Sequence, residues 1–456
     1  MESISDCIMP GLVNVRKYRI SEYEEDPDMG ADIISIIFFI VAIVLAFIRK
    51  INIGIVALAL AVPCTMLIGL PGKEIIAGVN GNLFITLVGI TLLFSIVNDT
   101  GALGLLAHKI VAVAGRRLWL IPILLFVAGG IITGAGPGGI PVLAIMIPMG
   151  IAVGIRVGYN PVMLSLIGIC GMTGGRFSPI TPETAIIFSA LENTGISSAS
   201  AVPAIIVNVT LFNAVVAILL FIAFKGYKVK APEQMESDEE GTKSFTTKQW
   251  ISFGGIIAML ALIIFAKVNV GLAALIVSAV LLLCHIADDG KCIKSVPWGT
   301  ILMVLGVGAL LHIVAKTGGI ALLTQILAGM MSPSTASTFM ALSAGLLSFV
   351  SSALGVVYPT MMPMSVGIAQ QIGGVNPVAL MSAVAAGGSC SGISPMSTGG
   401  AMIIAIMAVE LKDKFTKEQQ NKVFVQLLVI AGANLLVLMI CAFLFFDVIA
   451  NILCPL

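Results

Sequence analysis

The chain has 456 residues, of which 58% are hydrophobic and only 10% charged, with a formal net charge of +1. About a quarter charged is usual for a soluble domain, so the composition excludes that class. The near-zero net charge says little, because the charges sit in loops, and the eight cysteines have neither C-x-x-C nor Cys/His metal spacing and imply no disulfide framework.

The first thirty residues are polar and acidic, without the basic-then-apolar start of a cleavable signal peptide. Residues 1–30 are therefore expected to form an extracytoplasmic tail. Apolar runs of spanning length follow, and their periodicity and punctuation predict an all-α polytopic membrane protein. About ten spans are expected, near 33–48, 52–70, 83–98, 161–190, 201–224, 251–266, 269–286, 299–315, 377–409 and 424–446. Two stretches, 118–154 and 336–371, are too broken in their middles to be single helices and read as re-entrant hairpins.

The chain repeats itself. Gly158-Tyr159-Asn160-Pro161-Val162-Met163-Leu164 returns as Gly374-Val375-Asn376-Pro377-Val378-Ala379-Leu380. Each copy leads to a small-residue run and a Ser-Pro, at Gly171 to Pro179 and at Gly387 to Pro395. Val97-Asn98-Asp99-Thr100-Gly101 likewise matches Val314-Ala315-Lys316-Thr317-Gly318, each followed by an amphipathic stretch. If Arg49 and Lys50 face the cytoplasm, so do the basic clusters at 109–117, 225–248, 291–294 and 412–422, as the positive-inside rule requires. Both termini then lie outside, and the second half runs inverted relative to the first.

The resulting organisation is scaffold helices 31–82, transport repeat 83–190, a connecting span 191–224, and a solvated cytoplasmic linker 225–250. Scaffold helices 251–299, transport repeat 300–409, and a cytoplasmic loop with the last span, 410–456, complete it. Inverted repeats with glycine- and proline-broken segments at matching places are the sequence mark of a secondary transporter's binding site.

Four places carry those breaks: Gly134 to Gly139, Gly174 to Glu183, Ser351 to Gly355, and Ser389 to Gly400. Broken backbone frees N–H groups that suit an anion at half-helix N-termini, and carbonyls that suit a hard cation. Thr181-Pro182-Glu183 reads as an N-cap, a first-position proline and a first-turn acid. Arg176 is the sharpest single residue, because a guanidinium inside a span costs at least about 2.5 kcal/mol and needs a partner. It either forks onto a substrate carboxylate or pairs with Glu183, and the two roles are not exclusive. Its repeat partner is Gly392, so the site should be electrostatically lopsided.

Candidate substrate ligands are Gly136, Pro137, Gly138, Gly139, Arg176, Ser178, Thr181, Ser351, Ser352, Ser394, Ser397 and Thr398. Candidate Na⁺ ligands are Gly136, Gly174, Gly175, Ser351 and Ser389, with Glu183 as the group that couples a cation or proton. Asp99 and Lys316 are expected at span ends, His312 as a packing histidine, and His108 and Lys109 facing water. Asn208 and Asn213 are expected to bond between helices.

At the broken segments the chain resembles the ion transporter superfamily and, within it, the malonate and dicarboxylate carriers. Gly136-Pro137-Gly138, Ile140-Pro141-Val142-Leu143-Ala144 and Ser178-Pro179-Ile180 carry the resemblance best. It implies a homodimer of scaffold and transport domains working by an elevator mechanism. The related divalent-anion/sodium symporters carry Ser-Asn-Thr at both hairpin tips. Here the tips are Gly-Ala-Gly-Pro-Gly-Gly and Ser351-Ser352-Ala353, neither with the asparagine.

Import of malonate or a C4 dicarboxylate with Na⁺ or H⁺ across the cytoplasmic membrane is the expectation. A cation/proton antiporter on the same fold is the alternative. An intramembrane hydrolase finds no support, since all three histidines lie outside the broken segments.

Overall fold

Each half of the chain unrolls the same series of helices. The computed structural model describes residues 30–49, 51–102, 104–105, 109, 117–192, 194–229, 244–350, 352–395, 397–411 and 415–455; among these there is no strand. The first half runs α1 (Ala31–Arg49), α2 (Ile53–Leu67), α3 (Lys73–Ala77), α4 (Gly81–Asp99), α5 (Leu120–Gly134), α6 (Gly139–Val157), α7 (Pro161–Gly175), α8 (Pro182–Leu191) and α9 (Ser198–Ala223). The second runs α10 (Thr247–Phe265), α11 (Val270–Leu283), α12 (Asp289–Ser295), α13 (Trp298–Lys316), α14 (Gly319–Gly329) and α15 (Ala336–Val350). It closes with α16 (Tyr358–Ile372), α17 (Pro377–Cys390), α18 (Thr398–Leu411), α19 (Lys417–Cys441) and α20 (Asp447–Leu453).

Each predicted span and hairpin is helical, and the repeat extends beyond 83–190 and 300–409 to α1–α9 against α10–α20. The spans 161–190 and 377–409 each divide in two, as α7 and α8 and as α17 and α18. The tail to residue 29, the linker core 230–243, His108 and most of the stretch 101–115 lie outside the described residues. Two short helices, α3 and α12, arise in what the sequence presents as loops.

Asparagine starts the helices in matched pairs. Asn52 caps α2 and Asn269 caps α11, each through a side-chain oxygen 2.9 Å from a backbone N–H two residues on. Their amide nitrogens reach across to the other half, from Asn52 to the Gly299 carbonyl at 2.6 Å and from Asn269 to Asn82 Oδ1 at 2.9 Å. Asn160 and Asn376 cap α7 and α17 in the same way, each ahead of a first-position proline.

The halves interlock by exchange. Helix α2 of the first half packs on α13 of the second, and α11 of the second packs on α4 of the first. At each crossing two glycines meet, Gly54 with Gly306 and Gly271 with Gly89; a Cβ on either member of a pair would collide with the facing backbone. Such contacts let helix backbones approach where lipid supplies no hydrophobic drive for association.

Beside the crossings sit two equivalent ion pairs of opposite polarity. Glu74 on α3 meets Lys316 at the end of α13, 2.8 Å apart, and Lys291 on α12 meets Asp99 at the end of α4. Asp99 and Lys316 are thus at helix ends, as expected. His312 is not a packing histidine: its half-exposed ring lies 3.5 Å from the Glu74 carboxylate. The Lys316 hydrogen bond holds the Glu74 carboxyl below the usual carboxylate range, against an opposing effect of desolvation. A depressed carboxyl contributes stability above its ordinary pKa and loses it as pH falls through the folded-state value. This contact should therefore loosen only in acid. Reversing Glu74→Lys or Lys316→Glu alone should lower the unfolding midpoint, and the double reversal should restore it; a melting series of the three variants checks this.

Between the remaining helices, Asn208 donates to Ser382 Oγ at 3.0 Å and to the Phe446 carbonyl at 3.1 Å, tying α9 to α17 and to the last span. Asn213, expected to do likewise, bonds instead to Val209 of its own helix at 2.8 Å, one turn back. Lys109 lies over the Phe245 ring, 5.4 Å from its centre, rather than simply in water.

Candidate functional site

The first hairpin turns between α5 and α6 through Ala135 to Gly138. Gly136 has φ +124° and Gly138 φ +79°, which favour glycine, and a Cβ on Gly136 would strike the Phe94 ring of α4. The second hairpin turns between α15 and α16 through a π-helical segment, Ala353–Val357, started by Ser352, whose hydroxyl accepts from the Gly355 N–H at 3.3 Å. Ser351 lies outside the described residues.

The two unwound segments share one device. Thr181 Oγ1 donates to the Arg176 or Ser178 carbonyl, at 2.7 and 2.8 Å. Ser397, its repeat equivalent, reaches the Gly392 and Ser394 carbonyls at 3.0 and 2.7 Å. Thr181 does hold the N-cap place, and Pro182 the first helical position, but the hydroxyl makes no capping bond.

Arg176 follows the last turn of α7, so its side chain leaves the helix toward the second half. Its Nε donates to Glu183 Oε1 at 2.7 Å, and Nη1 reaches Ser389 Oγ at 3.4 Å. Glu183 is 1% exposed and also accepts from the Gly139 N–H at 3.2 Å, so the acid ties the first hairpin tip to α8. Its Oε2 is buried without a hydrogen-bond partner. On the far side, Arg176 lies over the Tyr358 ring at 5.9 Å, and the Tyr358 hydroxyl bonds Ser389 Oγ at 2.8 Å. Phe177 packs edge-on against the same ring.

A cavity of about 460 Å³ opens on this cluster. Arg176, Ser352, Ser389, Ser394, Ser397 and Thr398 of the expected residues line it, together with Ser348, Ser391, Thr300 and the α1–α2 corner at Ala46 and Ile53. Pro137, Gly138, Gly139 and Glu183 line a separate cavity of about 50 Å³. Thr181 faces a third, of about 240 Å³, lined also by Asn82, Thr86, Asn269 and Val270. These last are the repeat equivalents of residues near the large cavity, such as Met303 and Ile53, so the two crevices are counterparts on either side of the site.

Gly136, Ser178, Gly174 and Gly175 line none of these cavities. The Gly174 carbonyl accepts from Thr210, Gly175 packs on the Gly130 backbone, and the Ser178 carbonyl accepts from the Thr181 and Thr184 hydroxyls. Tyr358 is the residue that sequence reasoning missed. The available signal was its place before Pro359 in the second hairpin, where the first has Ile140 before Pro141.

A repeated all-helical membrane protein whose broken helices border an open cavity bearing an arginine and several serines among apolar side chains is a transporter of small solutes rather than an enzyme. A sequence model described as "Citrate transporter" (CitMHS) matches residues 43–387, and the chain belongs to that family of carboxylate transporters. Among solved structures the chain is similar to the YdaH transporter of Alcanivorax borkumensis, described as having an unusual topology. The TM-score is 0.57 at 12% identity, over 82% of this chain and 86% of that one, a likeness of fold. No curated protein matches the chain.

Proposed function

We propose that this protein imports a small di- or tricarboxylate in symport with Na⁺ or H⁺, the anion binding in the large cavity against Arg176. Malonate and C4 dicarboxylates remain the expectation from the sequence motifs, and the family match adds citrate. The observation that carries the reading is a largely buried guanidinium, its side chain 13% exposed, with donors to spare at the meeting of two unwound segments and the second hairpin. Nε serves Glu183 and one Nη1 proton serves Ser389, which leaves other Nη protons for a carboxylate. Ser394, Ser397 and Thr398 line the same cavity. About 460 Å³ falls in the usual range of about 300–1,000 Å³ for small-molecule sites.

Coupling follows from charge. A dianion entering a cell alone climbs about 2.3 kcal/mol per charge for each 100 mV of inside-negative potential. Two cations would cancel that cost and a third would reverse it.

The large cavity lies by the Arg49 end of α1, which the charge bias assigns to the cytoplasm of a prokaryotic inner membrane, with both termini outside. The counterpart crevice beside Thr181 faces the other way. An elevator movement of the hairpins, α7–α8 and α17–α18 against the rest would exchange the two. We assign α4 and α13 to the static body, because their glycines lock onto α11 and α2. A homodimer through the scaffold completes this reading.

Uptake of radiolabelled citrate and malonate into proteoliposomes, with an inward Na⁺ gradient or a proton gradient, tests the proposal. Gradient-dependent uptake of either acid is expected. Failure of both acids under both gradients would favour a cation/proton antiporter, for which the partnerless Glu183 Oε2 is the relevant observation. In that event Glu183→Gln should abolish cation-driven proton movement.

A further inference from the structure

The ring and the hydroxyl of Tyr358 both bear on Arg176, although the two residues come from opposite halves of the chain. We propose that Tyr358 is a positioning residue for carboxylate binding: it fixes the plane of the Arg176 guanidinium, so that the spare Nη protons are presented to the large cavity. The role in transport rests on the carboxylate reading above, but the hold on the arginine can be read without any substrate.

Placement comes first. The π-helical turn of the second hairpin ends on Tyr358, whose N–H reaches the Ala353 carbonyl five residues back. Such turns recur at functional sites within helices. Gly388 of α17 makes room for the side chain: a Cβ there would lie 2.4 Å from the Tyr358 ring. Phe177, the residue after Arg176, packs on the same ring edge-on, the two centres 5.6 Å apart. Tyr358 is 0% exposed and forms no part of the wall of the large cavity. It therefore acts behind the arginine and not on a substrate.

Three contacts define the guanidinium. Glu183 takes the Nε proton at 2.7 Å. The Tyr358 ring centre is 5.9 Å from Cζ, within the reach of about 6 Å over which a ring face attracts a cation. Nη1 reaches Ser389 Oγ at 3.4 Å, and that oxygen is itself held, 2.8 Å from the Tyr358 hydroxyl and 3.0 Å from the Ala385 carbonyl. The Tyr358 hydroxyl lies 3.2 Å from the same carbonyl. With one proton each, the two hydroxyls can serve the carbonyl and each other, and Ser389 keeps a lone pair for Arg176. Glu183 alone, through a single bond, would leave the guanidinium plane free to swing. A long side chain held on two edges and one face has little freedom left to lose when a carboxylate arrives, which raises affinity.

The test compares Tyr358→Phe and Tyr358→Leu with the parent in proteoliposomes, scaled to folded protein by size exclusion. Phenylalanine keeps the ring and loses the hydroxyl; leucine loses both. The KM for citrate or malonate should rise about three- to tenfold in Tyr358→Phe and further in Tyr358→Leu, with Vmax unchanged. In a Ser389→Ala background Tyr358→Phe should add nothing, because the hydroxyl acts through Ser389. The second readout needs no substrate: the rate at which phenylglyoxal modifies Arg176, followed by mass spectrometry against the exposed Arg49 in the same sample. That rate should rise in the same order as KM. If Tyr358→Leu does not fold, Tyr358→Phe carries the test by itself. Parental Arg176 reactivity in Tyr358→Phe would overturn the proposal, as would raised reactivity with an unchanged KM. A lowered Vmax at constant KM would likewise overturn it and mark the ring as merely structural. If the parent carries neither acid, the carboxylate reading fails, and the Arg176 reactivities still decide whether Tyr358 holds the arginine.

Discussion

Arg176→Ala is expected to abolish carboxylate uptake and to destabilise the protein at the same time, so the single variant alone would mislead. Removing the arginine leaves Glu183 buried with one backbone N–H for company, and breaking a buried pair from one side costs about 3–5 kcal/mol. A companion variant separates the effects. Replacing both partners by leucine removes the charges together, and such swaps are commonly neutral or stabilising. Arg176→Leu/Glu183→Leu should thus melt near the parent temperature yet show no uptake above empty liposomes. If the double variant still accumulates citrate or malonate with unaltered affinity, the guanidinium has no part in binding. Glu183→Gln is intermediate: it keeps a carbonyl oxygen for Arg176 and Gly139 but leaves the guanidinium charge without its counter-ion, so it should melt between the parent and Arg176→Ala.

The largest expected effect on folding comes from the two glycine crossings. At Gly306 a Cβ meets the Gly54 backbone, and at Gly271 it meets the backbone of Ile85 and Thr86. Backbone cannot rotate aside as a side chain does, so the helices must separate, with loss of packing along α2–α13 or α4–α11. Gly306→Leu or Gly271→Leu should leave little or no folded protein in the membrane, read by fluorescence-detection size exclusion of a tagged chain. Gly254→Ala on α10 is the matched control. Nothing lies within 4 Å of its Cβ, and alanine in a helix interior is favoured by about 0.5–1 kcal/mol, so that variant should match or exceed the parent. Normal folding of both leucine variants would show that the crossings are looser than described.

Much of the fold was legible because the breaks announce themselves. Glycine and proline runs placed both hairpins and both unwound segments, and the repeated Asn-Pro fixed where α7 and α17 begin. What stayed hidden has identifiable causes. Lipid and protein core are equally apolar, so periodicity could not say that Gly54 and Gly306 face each other rather than the bilayer. The ion pairs at α3 and α12 were concealed because the repeat exchanged their signs, leaving no sequence match at Glu74 and Lys291. Arg176 and Glu183 could be named as partners or rivals, but only geometry shows them shared between two cavities. Tyr358 was lost for a similar reason. An aromatic in an apolar helix reads as packing until its hydroxyl is seen on Ser389.

The exchange of helices between halves also sets a timetable for synthesis. Helix α4 enters the membrane with the bare strip around Gly89 uncovered, and its partner at Gly271 is about 180 residues further along the message. At about 5–20 residues per second that is a wait of roughly ten to forty seconds. Throughout that interval the nascent first half offers a narrow, glycine-floored groove to any passing helix. Premature partners, including a neighbouring copy of the same chain, must be kept off until translation delivers the proper one. A cell making this protein therefore depends on the insertion machinery for guarding an unfinished surface as well as for threading spans.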